Sequence, residues 1–400
     1  MGSPLEPVYA PPFTEEQLRN PGTSRTGAVV PYTFVEGPDV WYSADQLARQ
    51  DEWLHVLTDE QVAELEAAVE GALQSGVAQL DDTGKYLSVS HEATHEDFPL
   101  PTLGVLLLDV IEDVKRGRGF ALLRGVPVHR WTRVQSLVAY WGIGLYWGKT
   151  QPQNQKSHLI GHVKEVGIDP DNAKGTTRVY MTRREQPWHV DTSDLVSLLF
   201  LKTAKSGGHS GWASSATVYN EILRTRPDLV PVLAGTWYLD RKKEVPPGKK
   251  PYFIQPIINW HDGHLSIQYA DGYYQLPPKL YPGEVPPLTP QQEEAIRVFN
   301  EIADRPDIHI QMALQPGDLQ IIQNFTILHN RSQYEDHEHP DDKRHLLRMW
   351  LSPEDGRPLP EHFAELWGNI EPGKRGGVGY KFDPKDGVFP LEAEVGQLKV

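Results

Sequence analysis

A histidine and an aspartate stand two residues apart in a segment that reads as a β-strand. His189 and Asp191 lie in Trp188-His-Val-Asp191, just before the apolar run from Leu195 to Lys202. Residues i and i+2 of an extended chain point to the same side, so the imidazole and the carboxylate can converge on one metal ion. A second strand-like segment ends in His329. Two histidines and one carboxylate form a set that leaves positions on Fe(II) open for oxygen chemistry.

Two arginines follow in a third strand-like segment, Lys343-Arg-His-Leu-Leu-Arg348-Met-Trp-Leu351. Arg344 and Arg348 are four residues apart and therefore share one face of an extended chain. A guanidinium group can hold a carboxylate by two parallel hydrogen bonds. A dicarboxylic keto acid that chelates iron at one end needs such a clamp at the other end.

These segments, in this order, resemble the taurine dioxygenase/2,4-dichlorophenoxyacetate dioxygenase (TauD/TfdA-like) family, over about Phe120 to Pro353. Further matching stretches are Ser206-Gly-Gly-His-Ser210 with Ala213-Ser-Ser215, and Pro316-Gly-Asp318 through Asn324 to His329. The resemblance implies an Fe(II)- and 2-oxoglutarate-dependent dioxygenase. Such an enzyme uses O2 to hydroxylate, desaturate or cyclise a substrate at an unactivated C–H bond, and it releases succinate and CO2.

The resemblance also implies roles for single residues. His189, Asp191 and His329 would hold iron, and Arg344 would hold the distal carboxylate of 2-oxoglutarate. Ser210 would form a hydrogen bond with the cosubstrate. Arg348 would bind an acidic group of the substrate or, alternatively, form a structural ion pair. Three further residues would support the metal ligands or line the pocket: Trp188, Asn324 and Phe325. Taurine itself is not expected, because the segments 146–155 and 180–187 do not match the taurine enzyme's pattern.

The surrounding elements must bring these distant segments together. Thr58-Asp-Glu-Gln61 and Thr289-Pro-Gln-Gln292 are capping boxes that predict helices, and a third helix is predicted over Leu103 to Lys115. Strands are predicted at Phe120 to Arg124, Val196 to Lys202, Gly235 to Leu239, Ile254 to Asn259, Leu265 to Tyr269 and Ile310 to Leu314, with a hairpin at Asp262-Gly263. We therefore expect an α+β chain with a distorted double-stranded β-helix, or jelly roll, flanked by helices.

The domain organisation follows from the resemblance, since the shortest members of the family have no counterpart of the first 85 or so residues. Residues 1–85 form an N-terminal extension with one helix, and residues 86–400 form the jelly-roll dioxygenase domain. A stretch rich in Pro and Gly, from Leu276 to Pro290, is interpreted as a loop or lid.

Charge and cysteine content exclude several classes of protein. Asp and Glu outnumber Lys and Arg by 54 to 39, and the formal charge of −15 disfavours nucleic acid and anionic membrane surfaces as partners. The chain has no cysteine, so a metal would have to be held by His and carboxylate groups. We expect a cytoplasmic enzyme with a small-molecule substrate, assembled as a homo-oligomer.

Three other readings stay open at this point. His91-Glu92-Ala93-Thr94-His95 fits the H-E-x-x-H pattern of zinc metalloproteases, although Pro99 leaves little room for the helix which that pattern needs. An iron-dependent oxidase of the same fold would bind metal without 2-oxoglutarate. A non-catalytic jelly-roll binding module would use neither.

Overall fold

The structure is a computed structural model that describes residues 9–90, 92–154, 156–167, 178–378 and 386–393. It combines helices with several β-sheets. The strands are β1 Thr23–Arg25, β2 Phe34–Glu36, β3 Leu54–Val56, β4 Ala78–Leu80, β5 Tyr86–Ser90, β6 Phe120–Arg124, β7 Lys149–Gln151, β8 Ile160–Lys164, β9 Gln186–His189, β10 Leu195–Lys202, β11 Ser206–Gly207, β12 Ser210–Ser214, β13 Tyr238–Asp240, β14 Tyr252–Ile254, β15 Ile258–His261, β16 His264–Ile267, β17 His309–Met312, β18 Leu319–Gln323, β19 Ile327–Arg331, β20 Tyr334–Glu335, β21 His345–Ser352 and β22 Asp386–Pro390.

The helices lie mostly between the strands or before them. They are α1 Glu15–Arg19, α2 Ser43–Leu47, α3 Asp59–Ser75, α4 Leu103–Arg116, α5 Arg133–Gly144, α6 Ser215–Thr225, α7 Val230–Leu233, α8 Asp271–Tyr274, α9 Pro277–Leu280, α10 Pro290–Ala303 and α11 Ala364–Trp367. Among the described residues, no helix has the length and apolar character that crossing a membrane requires.

The largest sheet has the strand order β3-β6-β18-β10-β21-β7, and β8 also pairs with β21. Its pairs are antiparallel except that between β3 and β6. Side chains alternate between the two faces of this sheet, as the pleat requires. On β21, Leu346 and Trp350 face a second sheet, whereas Leu347 and Met349 face a layer of helices.

The second sheet has the order β17-β12-β19-β9 and brings the predicted ligand strands side by side. The two sheets face each other across a cluster of buried apolar side chains, which we call the interior cluster. It comprises Trp41, Trp53, Phe120, Leu122, Val163, Val196, Phe200, Trp212, Ile310, Leu314, Ile322, Ile327, Leu346 and Trp350. The candidate ligands lie at one end of the space between the sheets.

Helices cover the outer face of each sheet. Helices α3, α4 and α5 pack on the large sheet, and α6, α7 and α10 pack on the smaller one. Helix α4 shows why: its apolar side chains recur at helical spacing and are buried, among them Leu103, Leu107 and Val114.

The turn before β18 illustrates how local sequence sets the sheet. Gly317 has φ +88°, and a Cβ there would lie 2.3 Å from the carbonyl oxygen of Val126, so only glycine fits. The next residue, Asp318, is fully buried and receives two hydrogen bonds of 2.8 Å from Arg124 on the neighbouring strand β6. The turn and the ion pair together fix β18 beside β6.

Most predicted elements are confirmed within a few residues. Thr58 and Thr289 cap α3 and α10 through the predicted capping boxes. The predicted hairpin is present, with Asp262 and Gly263 both at positive φ between β15 and β16. The single strand predicted over Ile254 to Asn259 is wrong, because β14 ends at Ile254 and β15 begins at Ile258.

The N-terminal part of the chain contacts the sheets. Strand β3 pairs with β6, and the fully buried Trp53 belongs to the interior cluster. The division of the chain at residue 85 stays a prediction. The stretch from Leu276 to Pro290, interpreted as a loop or lid, contains the short helix α9.

Candidate metal site and its surroundings

His189 at the end of β9, Asp191 two residues after it and His329 in the middle of β19 come together. His189 and His329 are register partners across these two antiparallel strands, and their ring centroids are 4.0 Å apart. Nε2 of His189 lies 3.8 Å from Oδ1 of Asp191. One donor atom from each of the three residues lies within 4.8 Å of the others, which suits a single metal ion.

Asp191 is oriented by hydrogen bonds from two residues of β21. Its Oδ2 accepts hydrogen bonds from Nε1 of Trp350 at 2.8 Å and from Nη1 of Arg348 at 3.2 Å. Its backbone N–H donates to Oδ1 of Asn324 at 3.0 Å. Burial would raise the pKa of Asp191, but Arg348, the two neighbouring histidines and the hydrogen bond from Trp350 together outweigh burial, and the pKa is lowered to about 2. The carboxylate is therefore ionised and able to bind a cation.

Burial keeps both histidines in the form that a metal needs. It lowers the pKa of His189, and it lowers that of His329 well below 6.5. Nδ1 of His189 lies 2.9 Å from the carbonyl oxygen of Pro187, to which it can only donate, so the lone pair is on Nε2. That lone pair now accepts from the side-chain amide of Gln186 at 2.7 Å. A bound metal would replace this hydrogen bond.

Arg344 lies at the start of β21 and is buried. Its Cζ is 5.3 Å from the ring centroid of Tyr334 and 5.7 Å from that of Phe200. Its Nη1 has no hydrogen-bond partner among the described residues. Burial, and then the charge of Arg331, lower the pKa of Arg344 to about 10. Ser210 on β12 is buried and is the register partner of Arg331 on β19.

Arg348 forms an ion pair with Asp191. Its Nε donates to Oε1 of Gln153 at 2.8 Å, and its Cζ lies 4.5 Å from the ring centroid of Trp350 and 4.9 Å from that of Tyr180. This geometry agrees with the structural ion pair that the sequence left open. It also keeps the guanidinium group beside the metal site.

The other three predicted residues differ in position. Asn324 supports the ligand segment, because it accepts from the N–H of Asp191 and donates to the carbonyl of Ser193. Trp188 faces the outer helices and donates to Asp304 at 2.6 Å. Phe325 packs against Phe363 and Trp367 in a separate cluster.

The described part of the H-E-x-x-H motif, residues 92–95, contains no α-helix. His91 lies outside the described residues. Glu92 to Thr94 precede a 3₁₀ turn, His95–Asp97, that Thr94 caps. A protease of this type needs both histidines on one face of an α-helix.

Several residues near the site were missed from the sequence. Arg331 follows His329 by two residues, so strand periodicity could have placed it on the same face. No sequence pattern placed Lys242 or Tyr273 near the candidate ligands. Nζ of Lys242 lies 4.8 Å from the ring centroid of Tyr273, and Lys242 and Lys243 both have positive φ values, of 50° and 66°. Tyr273 belongs to α8, which follows directly after Ala270, a bridge partner of His189.

A cavity of about 1000 Å³ opens beside Tyr334. Its lining comprises Glu165, Gly167, Thr182, Arg183, Arg184, Ser206, Gly207, Gln333, Tyr334 and Glu335. The three clustered ligand residues do not line it. The cavity is thus connected to the buried arginines only through Tyr334, whose ring lies against Arg344.

Comparison with known proteins gives a consistent picture. The family model for "Taurine catabolism dioxygenase TauD, TfdA family" matches residues 83–350. FR-33289 synthase of Streptomyces rubellomurinus is 32% identical over 337 residues, which cover 84% of this chain and 95% of that protein. Taurine hydroxylase-like protein SAT17 of Stachybotrys chartarum is 29% identical, with 76% of each chain covered.

A solved structure shares the fold at low sequence identity. The complex of asparagine oxygenase with Fe(II), 2S,3S-3-hydroxyasparagine and succinate superposes with a TM-score of 0.54 and 16% identity, covering 75% of this chain and 93% of that one. The family match spans more than half of the chain. The chain therefore belongs to the TauD, TfdA family and is an Fe(II)- and 2-oxoglutarate-dependent dioxygenase.

Proposed function

We propose that this enzyme holds Fe(II) with His189, Asp191 and His329 and oxidises an unactivated C–H bond of a small, acidic metabolite. Hydroxylation, desaturation and oxidative cyclisation are the outcomes open to it, with release of succinate and CO2. The observation that carries the proposal is the convergence of three donor atoms within 4.8 Å. We further propose that the two facing sheets form a distorted jelly roll.

The donor set fits Fe(II). Two neutral imidazoles and one ionised carboxylate are the ligands that non-haem iron oxygenases use, and they leave three positions for the cosubstrate and oxygen. The surroundings add to this fit, because Asp191 is oriented by three hydrogen bonds and His189 has its Nδ1–H bonded to a carbonyl.

The surroundings also fit 2-oxoglutarate. Arg344 is a buried guanidinium group whose Nη1 lacks an acceptor among the described residues, and a buried cation in this state requires an anionic partner. The distal carboxylate of the cosubstrate would supply that partner, and the hydroxyl of Ser210 would add a hydrogen bond.

Iron and 2-oxoglutarate, when bound, supply the activation of O2. The chain's own residues fix the geometry in which this happens. Arg348 and Trp350 hold Asp191, and Asn324 ties the ligand segment to the turn between β18 and β19. Such positioning contributes to rate because the reacting groups are already oriented.

The proposal of an acidic substrate depends on two cationic side chains, Arg348 and Lys242. Arg348 is paired with Asp191, and the side chain of Lys242 is 9% exposed with its ammonium group 4.0 Å from Asp240 and 4.8 Å from the ring centroid of Tyr273. The name of one relative contains taurine, which carries a sulfonate group. Taurine itself stays unexpected for this chain. We also propose that the enzyme is cytoplasmic and that it forms a homo-oligomer. Light scattering would test the oligomeric state.

The test of the proposed function is an anaerobic titration of the metal-free protein with Fe(II) and then 2-oxoglutarate. We expect a weak visible charge-transfer band from the chelate. The band should be absent in His189→Ala, and Arg344→Ala should require far more 2-oxoglutarate to develop it. Iron binding without the band in the wild-type protein would favour an iron oxidase that does not use 2-oxoglutarate. No iron binding at all would favour a binding module.

A further inference from the structure

A second buried arginine lies beside Arg344. Arg331 is 5% exposed, and its Nη2 donates to the backbone carbonyls of Thr182, at 3.2 Å, and of Arg184. Its Nε and Nη1 have no hydrogen-bond partner among the described residues, and the same is true of Nη1 of Arg344. Buried N–H groups without acceptors are costly, above all in a cation. These three donors therefore require a partner that the described residues do not provide.

Tyr334 connects the two guanidinium groups. Cζ of Arg331 lies 4.9 Å from its ring centroid and Cζ of Arg344 lies 5.3 Å from it. The hydroxyl of Tyr334 is also buried without a partner among the described residues. Both guanidinium groups and the hydroxyl therefore belong to one cluster around this ring, in which the charge of Arg331 acts on Arg344.

The charges of the cluster indicate what kind of ligand fits. Asp336 is a buried carboxylate that accepts from the backbone N–H of Arg344 at 2.8 Å. Glu165 and Glu335 are engaged by Lys343 and Lys205. Two guanidinium groups and the carboxylate of Asp336 leave one positive charge, and one carboxylate group offsets it.

We propose that Arg331 and Tyr334 bind the distal carboxylate of 2-oxoglutarate together with Arg344. This inference rests on the proposed function and assigns a role to two residues for which the sequence gave none. The carboxylate accepts hydrogen bonds from both guanidinium groups and from the phenol. Charge-assisted hydrogen bonds of this kind are roughly twice as strong as neutral ones. The enzyme then prefers keto acids that have a second carboxylate, and three side chains contribute to this preference: Arg331, Tyr334 and Arg344.

A purely structural role for Arg331 predicts something different. Its Nη2 holds the backbone at Thr182 and Arg184 in place, which by itself would explain its burial. A structural residue affects every keto acid alike, whereas a carboxylate-binding residue affects only those with a second carboxylate. The experiment has to compare two ligands.

The experiment measures binding by calorimetry in Mn(II)-loaded protein, where no turnover occurs. The ligands are 2-oxoglutarate and 2-oxopentanoate, which has the same chelating end and no second carboxylate. In Arg331→Met we expect the preference for 2-oxoglutarate to fall about tenfold or more. In Tyr334→Phe we expect a fall of about threefold. Arg183→Met removes the same charge from an exposed residue that lines the cavity and should leave the preference unchanged.

Each outcome decides the proposal. If Arg331→Met weakens both ligands equally, the residue is structural and the proposal is wrong. If the wild-type protein binds neither keto acid, the proposed function itself fails. If Arg331→Met does not fold, as judged by circular dichroism, Arg331→Lys and Tyr334→Phe carry the test. An unchanged preference in both of these variants overturns the proposal.

Discussion

Asp191 has to remain ionised while it is buried, and two residues of β21 make this possible. Trp350 and Arg348 both donate to Oδ2, which leaves Oδ1 on the side of His189. The positive charge of Arg348 is the largest of the effects that together outweigh the burial of Asp191 and lower its pKa. The same two bonds fix the direction in which the carboxylate offers its free oxygen.

Replacing Trp350 by phenylalanine should loosen this carboxylate and weaken metal binding about tenfold or more, as changes to outer partners of metal ligands do. The ring is kept, and only the Nε1–H donor is lost. The dissociation constant for Fe(II), measured anaerobically, checks the prediction. Trp147→Phe is the matched control, because its Nε1 donates to the carbonyl of Leu107 in the core cluster beneath helices α3, α4 and α5. Equal affinities in both variants would contradict the expected role.

The convergence of the three candidate ligands could be predicted at this scale, and their neighbours could not. A histidine and an aspartate two residues apart often occur together by chance, and they stand out here only because His329 and the Arg344/Arg348 pair follow in order. Arg331 also shares a face with His329, but an arginine in a strand is usually exposed, and nothing in the sequence indicates its burial. Gln153 orients Arg348 from 195 residues away, and no local pattern reveals such a contact.

At the scale of elements, a pair of histidines joins three strands. Arg133 donates to Nδ1 of His345 at 3.2 Å, so Nε2–H of His345 donates to Nδ1 of His162 at 2.8 Å. Nε2–H of His162 then donates to the carbonyl of Pro390 at 2.8 Å. The chain of bonds works only when both rings are neutral, and it ties β8, β21 and β22 together.

Acid should therefore weaken the fold through this pair. Burial lowers the pKa of His162 to about 4 and that of His345 well below 6.5. Below pH about 6.5 the unfolded chain binds more protons than the folded one, so stability is complete above that pH and is lost as the pH falls toward 4.

A comparison of urea unfolding at pH 7 and pH 5 checks this. The loss of unfolding free energy at pH 5 should be smaller in His162→Gln than in the wild-type protein by about 1 kcal/mol. His339→Gln, at an exposed residue, should behave as the wild type does. If His162→Gln shows the full acid loss, the pair is not responsible for it.

Helices with an amphipathic pattern or a capping residue could be predicted from the sequence. Elements that are buried on every side could not. Helix α4 shows its apolar stripe in the sequence, and Thr58 and Thr289 mark their helices. Helix α5 is buried from Ser136 to Gly144, so it has no polar face to set against an apolar one. The strand predicted over Ile254 to Asn259 fails for a related reason, because a continuous apolar run does not show where the backbone bends.

At the scale of the whole molecule, a buried ion pair connects the C-terminal part of the chain to the metal site. Arg375 is fully buried and donates to Oδ1 of Asp194 at 2.5 Å and to the carbonyls of Ile370 and Arg357. Burial raises the pKa of Asp194 and Arg375 opposes this, and the hydrogen bonds from Nε of Arg375 to both carboxylate oxygens, at 3.1 and 3.0 Å, favour the ion pair. Asp194 follows Asp191 by three residues, so the ion pair between Asp194 and Arg375 fixes the backbone next to the candidate ligand Asp191.

Arg375→Met should destabilise the protein by about 3–5 kcal/mol, because it leaves the carboxylate of Asp194 buried without its partner. Urea unfolding measures the change. The double variant Asp194→Leu/Arg375→Met should recover part of the loss, since neither charge then remains. Lys374→Met, at an exposed neighbour, should change stability by less than about 0.5 kcal/mol. A double variant that is less stable than Arg375→Met would contradict this account.

Strand β21 is paired along both edges, by β10 on one side and by β7 and β8 on the other. Arg348 and Trp350 therefore keep their positions whatever the length of the preceding connection, residues 337–343, because the register is fixed by the neighbouring strands and not by that connection. Insertions and deletions there should be tolerated as long as Asp336 still accepts the hydrogen bond from the backbone N–H of Arg344. The strand that carries the proposed cosubstrate and ligand contacts can thus stay constant while this part of the surface changes in natural or laboratory evolution.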